Sequence, residues 1–280
     1  MNYVIFEQVS DLVNADFEWA QLSECSNDEV LGSNRIYRAQ CSSLSFKAVK
    51  QYMSTLGLSD YSRDLVSDQL ILRVNISKKV AFGASREMEG QVLKSIRSYS
   101  WSPLVIHNNP RKGWLLMSYH GQPELAPSEI NMGDVLSVVA EMQQITDGPS
   151  FSYEALLLKY LSAFQKHNDQ QYIEYVHHLD RLWCELPDVG SCLAHHDFHP
   201  GNVVKEGEAL TLIDWEYSGI GNPWSDAASL VIKFGASVDS VYALPRFKVL
   251  PKEVFTKSLG VACEANRLLE KMWSRVRKLT

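Results

Sequence analysis

The stretch from Ala194 to Leu230, AHHDFHPGNVVKEGEALTLIDWEYSGIGNPWSDAASL, constrains the fold more tightly than any other part of this 280-residue chain. NVVK and ALTLI read as short strands, and EGE between them holds the glycine of a tight turn, so residues 203–213 are predicted to form a β-hairpin. Antiparallel pairing sets the residue before the first strand beside the residue after the second. Asn202 and Asp214 are therefore expected opposite one another, within about one position. Pro200 and Gly201 keep the preceding loop from being helical, and Asp197 lies in that loop five residues before Asn202. Three polar side chains, Asp197, Asn202 and Asp214, should converge. A carboxylate and an amide oxygen at the open end of a hairpin are hard ligands suited to Mg²⁺, and the third group is left to receive a proton or orient a hydroxyl. That is the minimum apparatus for phosphoryl transfer from a nucleotide–Mg²⁺ complex, where positioning and charge neutralisation supply most of the rate.

Two other readings compete for the same residues. His195 and His199 have the i, i+4 spacing of helical zinc sites, and His196 lies between them, which would suit a zinc-dependent hydrolase. That arrangement needs a helix, and Pro200–Gly201 directly after His199 opposes one. The plainer alternative is a polar turn and a hairpin, with Asp214 capping the next element. The pattern I-D-W-E at the far end of a hairpin of the right length weighs against it.

The segment from His195 through Asp226 resembles the aminoglycoside phosphotransferase and choline kinase-like family of small-molecule kinases. The resemblance rests on H-x-D-x-H-x-x-N, here His195 to Asn202, followed by I-D-[FW]-E, here Ile213 to Glu216. It implies an α+β, protein kinase-like fold with an antiparallel-sheet N-lobe, a mostly helical C-lobe, and ATP in the cleft between them. It implies that Asp197 is the catalytic base, that Asn202 and Asp214 bind Mg²⁺, and that His195 supports the loop. Asp226, in NPWSDAA, resembles the acidic residue that braces the catalytic loop from a following helix; a simple helix N-terminal carboxylate is the other reading.

The rest of the chain suits two lobes, residues 1–120 and 121–280. In the first, NRIYRAQ and QLILRVN read as strands, SREMEGQVLKSIRSY as an amphipathic helix, and SPLVIHN and GWLLMSYH as short strands about the Asn109–Gly113 turn, where Pro110 is expected to break the pairing. In the second, helical periodicity covers 132–145, 153–164, 172–183 and 261–276. A kinase needs a strand cation to reach the phosphates and a helical carboxylate to hold it; Arg73 and Glu89 fit those roles, with a surface ion pair as the plain alternative. Gly32, Ser33 and Asn34 offer the one glycine-bearing candidate for a phosphate-covering loop. The long connection from Gln40 to Gln69 holds an inserted helix, or else that loop lies elsewhere. Backbone near Ser118, Tyr119 and His120 is the candidate edge for adenine.

IDWEYSG resembles the corresponding segment of bacterial thiamine kinases most closely, and that of choline and ethanolamine kinases next. The expected acceptor is a small cationic alcohol, with thiamine first, choline or ethanolamine as the alternative, and an aminoglycoside behind them. Glu216 would face the positive charge, and Trp215, Tyr217 and Trp224 would offer aromatic faces, unless these aromatics are core. A non-catalytic pseudokinase is the remaining class, opposed by the presence of every catalytic position. With 27 basic and 33 acidic residues the net charge is −6, which disfavours nucleic acid as a partner. Five cysteines without a C-x-x-C pair argue against a disulfide framework and for a cytoplasmic protein. The N-terminal segment lacks a signal-peptide pattern, and no apolar run is long enough to insert in a membrane.

Overall fold

The computed structural model of the protein describes residues 2–22, 34–58, 67–75, 82–123 and 130–279. Two compact units share the chain. One comprises Met1–Ala81, Leu93–Gln122 and Val204–Ile213; the other comprises Phe82–Val92, Pro123–Val203 and Asp214–Thr280. The division is therefore not a single cut after residue 120. Residues 82–92 group with the second unit, and the hairpin residues 204–213 group with the first.

The first unit is built on a five-stranded antiparallel sheet of β1 (Trp19–Gln21), β2 (Asn34–Gln40), β3 (Gln69–Asn75), β4 (Val105–Asn109) and β5 (Trp114–Ser118), in the order β1-β2-β3-β5-β4. Central β3 is buried from Leu70 to Val74, which is why QLILRVN reads as a nearly continuous apolar run. Pro110 does not interrupt the β4–β5 pairing. It sits in the turn, where Asn109 Oδ1 accepts the Lys112 N–H at 3.1 Å and Asn109 pairs with Trp114. The long connection after β2 does hold a helix, α2 (Ser43–Thr55), capped by Ser42 Oγ accepting the Ser45 N–H at 3.1 Å. Its Val49 and Met53 join Ile5, Val9 and Val13 of α1 (Asn2–Val13) and Leu70, Leu72 and Val74 of β3 in one apolar core. α1 was not anticipated, although Ile5, Val9 and Val13 repeat at helical spacing.

The second unit is mostly helical. α4 (Met132–Met142), α5 (Tyr153–Lys166), α6 (Gln170–Glu185), α7 (Trp224–Phe234), α8 (Val238–Tyr242) and the 28-residue α9 (Lys252–Leu279) carry it. Helix α3 (Arg86–Ile96) spans the boundary between the units. Leu156, Tyr160 and Phe164 of α5 pack with Val176, Leu179 and Leu182 of α6 and with Leu268, Met272 and Val276 of α9. α9 starts nine residues earlier than its sequence periodicity indicates, directly after Pro251, whose carbonyl accepts the Phe255 N–H at 2.9 Å. A sheet-based unit and a helical unit give the α+β class. Among the described residues no helix is long and apolar enough to cross a membrane.

Three short strands complete the frame around the hairpin: β6 (Gln122–Pro123) neighbours β8 (Val203–Glu206), which neighbours β9 (Ala209–Leu212). The turn between β8 and β9 is Gly207–Glu208, with Gly207 at φ +60°, the sign that the first position of a type II′ turn requires. Gly121, at φ +99°, passes so close to this hairpin that a Cβ there would overlap the Lys205 carbonyl. Gly121→Ala is expected to lower the unfolding free energy by roughly 2–4 kcal/mol through strain and backbone displacement. Urea titration of wild type and variant checks this, and equal midpoints would show that the backbones are not in that contact.

Candidate active site

The segment bearing the motif leaves β7 (Cys192–Ala194) and its far end returns along β10 (Gly219–Gly221). These two strands pair antiparallel, Ala194 with Gly219 and Cys192 with Gly221. The ladder sets residues 195–196 beside 217–218. Ser218 Oγ donates to the His195 carbonyl at 3.3 Å, and His196 Nδ1 lies 3.1 Å from the Tyr217 carbonyl. From α7, the buried Asp226 carboxylate closes the frame: Oδ2 accepts the His195 N–H at 2.7 Å and Oδ1 the His196 N–H at 3.0 Å. The acidic residue of NPWSDAA thus holds two consecutive peptide N–H groups of the loop.

Within this frame His199 and the 3₁₀ turn Pro200–Asn202 reverse the chain. His199 Nδ1 accepts the Gly201 N–H at 3.1 Å. The turn brings Asn202 back onto Asp197. Its Nδ2 donates to the Asp197 carbonyl at 2.9 Å and to Asp197 Oδ2 at 3.3 Å. The other oxygen-bearing residue, Asp214, follows β9 in the left-handed region at φ +65°. Aspartate tolerates that conformation better than most residues. Both Asp197 and Asp214 act electrostatically on the Tyr217 hydroxyl, so the two carboxylates share one neighbourhood.

These residues fit a divalent cation of the hard kind. Asn202 spends its amide hydrogens on Asp197, which leaves Oδ1 as an acceptor, and Asp214 is a second oxygen donor of the motif. Mg²⁺ is commonly held by one or two protein oxygens together with phosphate oxygens and water. The three histidines do not make a zinc site. His195 is fully buried against Trp215, with ring centroids 4.7 Å apart. His196 Nδ1 lies at the Tyr217 carbonyl and Nε2 at the Tyr153 hydroxyl, and His199 uses Nδ1 on Gly201. Among the described residues no group of three or more His, Cys, Asp or Glu is placed to hold a metal ion.

A cavity of about 430 Å³ opens beside Asp197. Phe82, Phe151, Tyr160, Tyr217 and Trp273 give it aromatic walls, and Asn266, Glu270 and Lys233 give it a polar side. Lys233 Nζ lies 2.6 Å from Glu270 Oε1. Burial, then the Glu216 carboxylate and to a lesser degree Asp197 and Asp214, hold the Tyr217 phenol above its ordinary range, so it stays neutral; the approaching Trp273 indole offsets part of the rise. That indole contact is too loose to count as a hydrogen bond, and the buried hydroxyl has no such partner among the described residues.

Three of the four expected acceptor-facing residues are elsewhere. Trp215 is fully buried beneath His195. Trp224 is core, packed on Phe247 and Phe255, with its indole N–H donated to the Pro187 carbonyl at 2.9 Å. Glu216 is buried, its carbonyl accepting the Ser85 N–H at 3.1 Å, and it does not line the cavity. Large aromatics and a carboxylate beside a metal ligand carry no sequence signal for which way they point. Glu270 and Trp273, the cavity's own acid and indole, were missed because they lie on α9, far along the chain from the motif.

The nucleotide-side candidates fall in both units. Arg73 is buried in β3, paired with Ile36 and Leu115, in the first unit; Glu89 is buried in α3 within the second. Ser118 ends β5, and the Tyr119 N–H is donated to the Gln69 carbonyl at 3.0 Å. The His120 ring accepts the Leu104 N–H through Nε2 at 2.9 Å, so this nitrogen is unprotonated. Asn34 begins β2, its Oδ1 accepting from Asn75 Nδ2 at 2.5 Å. Gly32 and Ser33 lie outside the described residues.

Known proteins resemble the chain in sequence and in fold. The sequence profile of the phosphotransferase enzyme family APH matches residues 66–248. A curated thiamine kinase of Escherichia coli strain SMS-3-5 is 26% identical over 139 residues, which is 46% of this chain and 48% of that protein. The match thus spans about half the length of the curated relative. Among solved structures, choline kinase LicA from Streptococcus pneumoniae superposes with a TM-score of 0.68 at 16% identity, over 99% of this chain and 90% of that one. The streptomycin-ATP-APH(2")-IIa ternary complex superposes at 0.58 and 13% identity, over 92% and 88%. At these identities the likeness is one of fold, and the fold is that of small-molecule kinases.

His196 supplies a measurable signature of the site. Burial lowers its pKa from 6.5 to about 4, with Asp226 and the Tyr217 carbonyl opposing only part of the drop. Between those values the unfolded chain binds a proton that the folded ring refuses, so stability is lost as pH falls through 6.5 and levels below about 4. The size is of the order of 3 kcal/mol. The unfolding free energies of wild type and His196→Asn should therefore converge by about that amount between pH 7 and pH 4. Parallel curves in denaturant titrations at the two pH values would show the ring to be solvated.

Proposed function

Since the chain belongs to the phosphotransferase enzyme family, we propose that it transfers the γ-phosphoryl group of ATP to the hydroxyl of a small cationic alcohol, with thiamine as the first candidate. The observation that carries the proposal is the contact between Asn202 and Asp197, the latter lining the aromatic cavity. One residue holds the base and still has an oxygen to give a cation. In this reading Asp197 Oδ accepts the proton of the acceptor hydroxyl, whose oxygen forms the new bond to phosphorus as the bond to the leaving ADP oxygen breaks. Asn202 Oδ1 and Asp214 would hold Mg²⁺, which when bound neutralises charge on the phosphates. Asp226 and His195 keep the loop in place, and Arg73 and Glu89 handle the nucleotide phosphates, with the backbone of 118–120 at the adenine.

Thiamine is favoured over other acceptors on two grounds. The curated relative, matched over about half its length, is a thiamine kinase. The cavity offers aromatic faces in Tyr217, Trp273 and Phe151 with carboxylates at Asp197 and Glu270, a combination that attracts a flat organic cation. The Lys233 ammonium beside Glu270 tempers that negative charge and places a donor on the polar wall.

ADP release measured across thiamine, choline, ethanolamine, aminoglycosides and hydroxylated sugars tests the assignment. Thiamine is expected to give the highest kcat/KM. Asp197→Ala and Asp214→Ala should each lower kcat by about a thousandfold or more, with unchanged circular dichroism. Normal turnover in either variant refutes the residue assignment, and a preference for an uncharged sugar refutes the acceptor class.

A further inference from the structure

His196 stands immediately before the proposed base, in the left-handed region at φ +61°. A side chain there is strained, and the surroundings must over-determine it. Four contacts do so. Asp226 Oδ1 accepts the backbone N–H, the ring stacks on Phe151 at 4.2 Å, Nδ1 lies 3.1 Å from the Tyr217 carbonyl, and Nε2 lies 2.6 Å from the Tyr153 hydroxyl. The proton inventory has one neutral solution. A carbonyl only accepts, so Nδ1 carries the hydrogen and Nε2 is the acceptor. Tyr153 then donates its hydroxyl hydrogen to Nε2 and accepts the Asn222 N–H at 2.8 Å. The alternative acceptor for that hydroxyl, the Asn222 carbonyl, is farther away at 3.3 Å. Gly221 is fitted to the arrangement, since a Cβ there would lie 2.9 Å from the Tyr153 hydroxyl oxygen and 3.1 Å from His196 Cε1.

One ring thus ties four segments together: the loop of Asp197, the segment of Tyr217, the start of α5 at Tyr153, and the turn before α7. We propose that His196, clamped between the Tyr153 hydroxyl and the Tyr217 carbonyl, is a positioning residue that fixes the loop so that Asp197 faces the cavity. The inference rests on the phosphotransferase reading for what Asp197 does there. The ring itself touches no reacting atom in this scheme, and its effect passes through the backbone at 196–197.

The test uses the full chain and two variants that break the same link from opposite sides. Tyr153→Phe removes only the hydroxyl. His196→Asn keeps a donor near the Tyr217 carbonyl and tolerates the left-handed backbone, but does not reach Tyr153. Hydrogen exchange without ligand should be faster across residues 195–202 in both variants and unchanged in α9. With thiamine and ATP, kcat should fall between about tenfold and about a hundredfold, with both KM values within about twofold. The double variant should lose clearly less than the product of the two single losses, because both substitutions remove the same His196–Tyr153 bond. Unchanged exchange at 195–202 overturns the proposal, as does a raised acceptor KM at constant kcat, which would make His196 merely cavity wall. Additive losses overturn it too. A wild-type protein that forms no ADP with any acceptor defeats the phosphotransferase reading instead; the exchange data still report whether the clamp orders the loop.

Discussion

A single buried carboxylate organises the site. Asp226 is almost fully enclosed, and an anion in that position is tolerated only if strong donors surround it. Those donors are the consecutive backbone N–H groups of His195 and His196, at 2.7 and 3.0 Å. The bond pair works in both directions. It satisfies the charge, and it fixes two successive peptide planes directly ahead of Asp197. Position i of the loop is held by β7, i+1 and i+2 by Asp226, and the following turn by His199 and Asn202, so Asp197 has little freedom left in its backbone. This is the kind of preorganisation that phosphoryl transfer depends on, since the protein contributes geometry and charge more than covalent chemistry.

Backbone strain is distributed in a telling way. Among the described residues, the non-glycine residues at positive φ are Asn14, Asn168, His196 and Asp214. Asn14 follows α1 and Asn168 follows α5, where a left-handed asparagine is an ordinary way to end a helix. The other two have no helix to terminate. They stand on either side of the hairpin, one beside the proposed base and one as a proposed cation ligand. Strain of this sort persists only where several bonds enforce it, and the β7–β10 ladder, Asp226 and Tyr153 are the enforcers. The pairing of Ala194 with Gly219 closes the outer ends of the segment, and the hairpin turns the chain within it.

How much of this could be read from sequence follows from how local each cause is. QLILRVN and NRIYRAQ declare their strands by composition, and the hairpin by NVVK-EGE-ALTLI, because those preferences are contained within a few residues. The Asp197–Asn202 contact was legible for the same reason: Pro200 and Gly201 dictate the turn that makes it. β7 and β10, at three residues each, are too short to carry a period, and their pairing spans the whole motif. The orientation of Trp215 and Glu216 was not legible either. Both follow Asp214, whose left-handed φ breaks the alternation that would otherwise assign side chains to faces. Trp215 went under His195, and Tyr217 went to the cavity.

The same division between local and distant causes separates chemistry from recognition. The groups assigned to transfer lie between His195 and Asp226, joined by short turns and one ladder. The polar wall of the cavity comes from α9, where Asn266, Glu270 and Trp273 recur at i, i+4 and i+7 and so share one helical face. α9 is held by a core that does not involve the loop: Leu268, Met272 and Val276 against α5 and α6. Glu270 on its cavity face can therefore change in size or charge while the helix stays anchored by the opposite stripe. Asn266 instead ties α9 to α7, its Nδ2 donating to the Ser225 carbonyl at 2.9 Å, next to Asp226, and to Ser229 Oγ at 3.2 Å. The motif therefore speaks for the family's phosphoryl transfer, and if the cavity takes the acceptor as proposed, α9, with Lys233 of α7 paired to Glu270, is where that acceptor is selected.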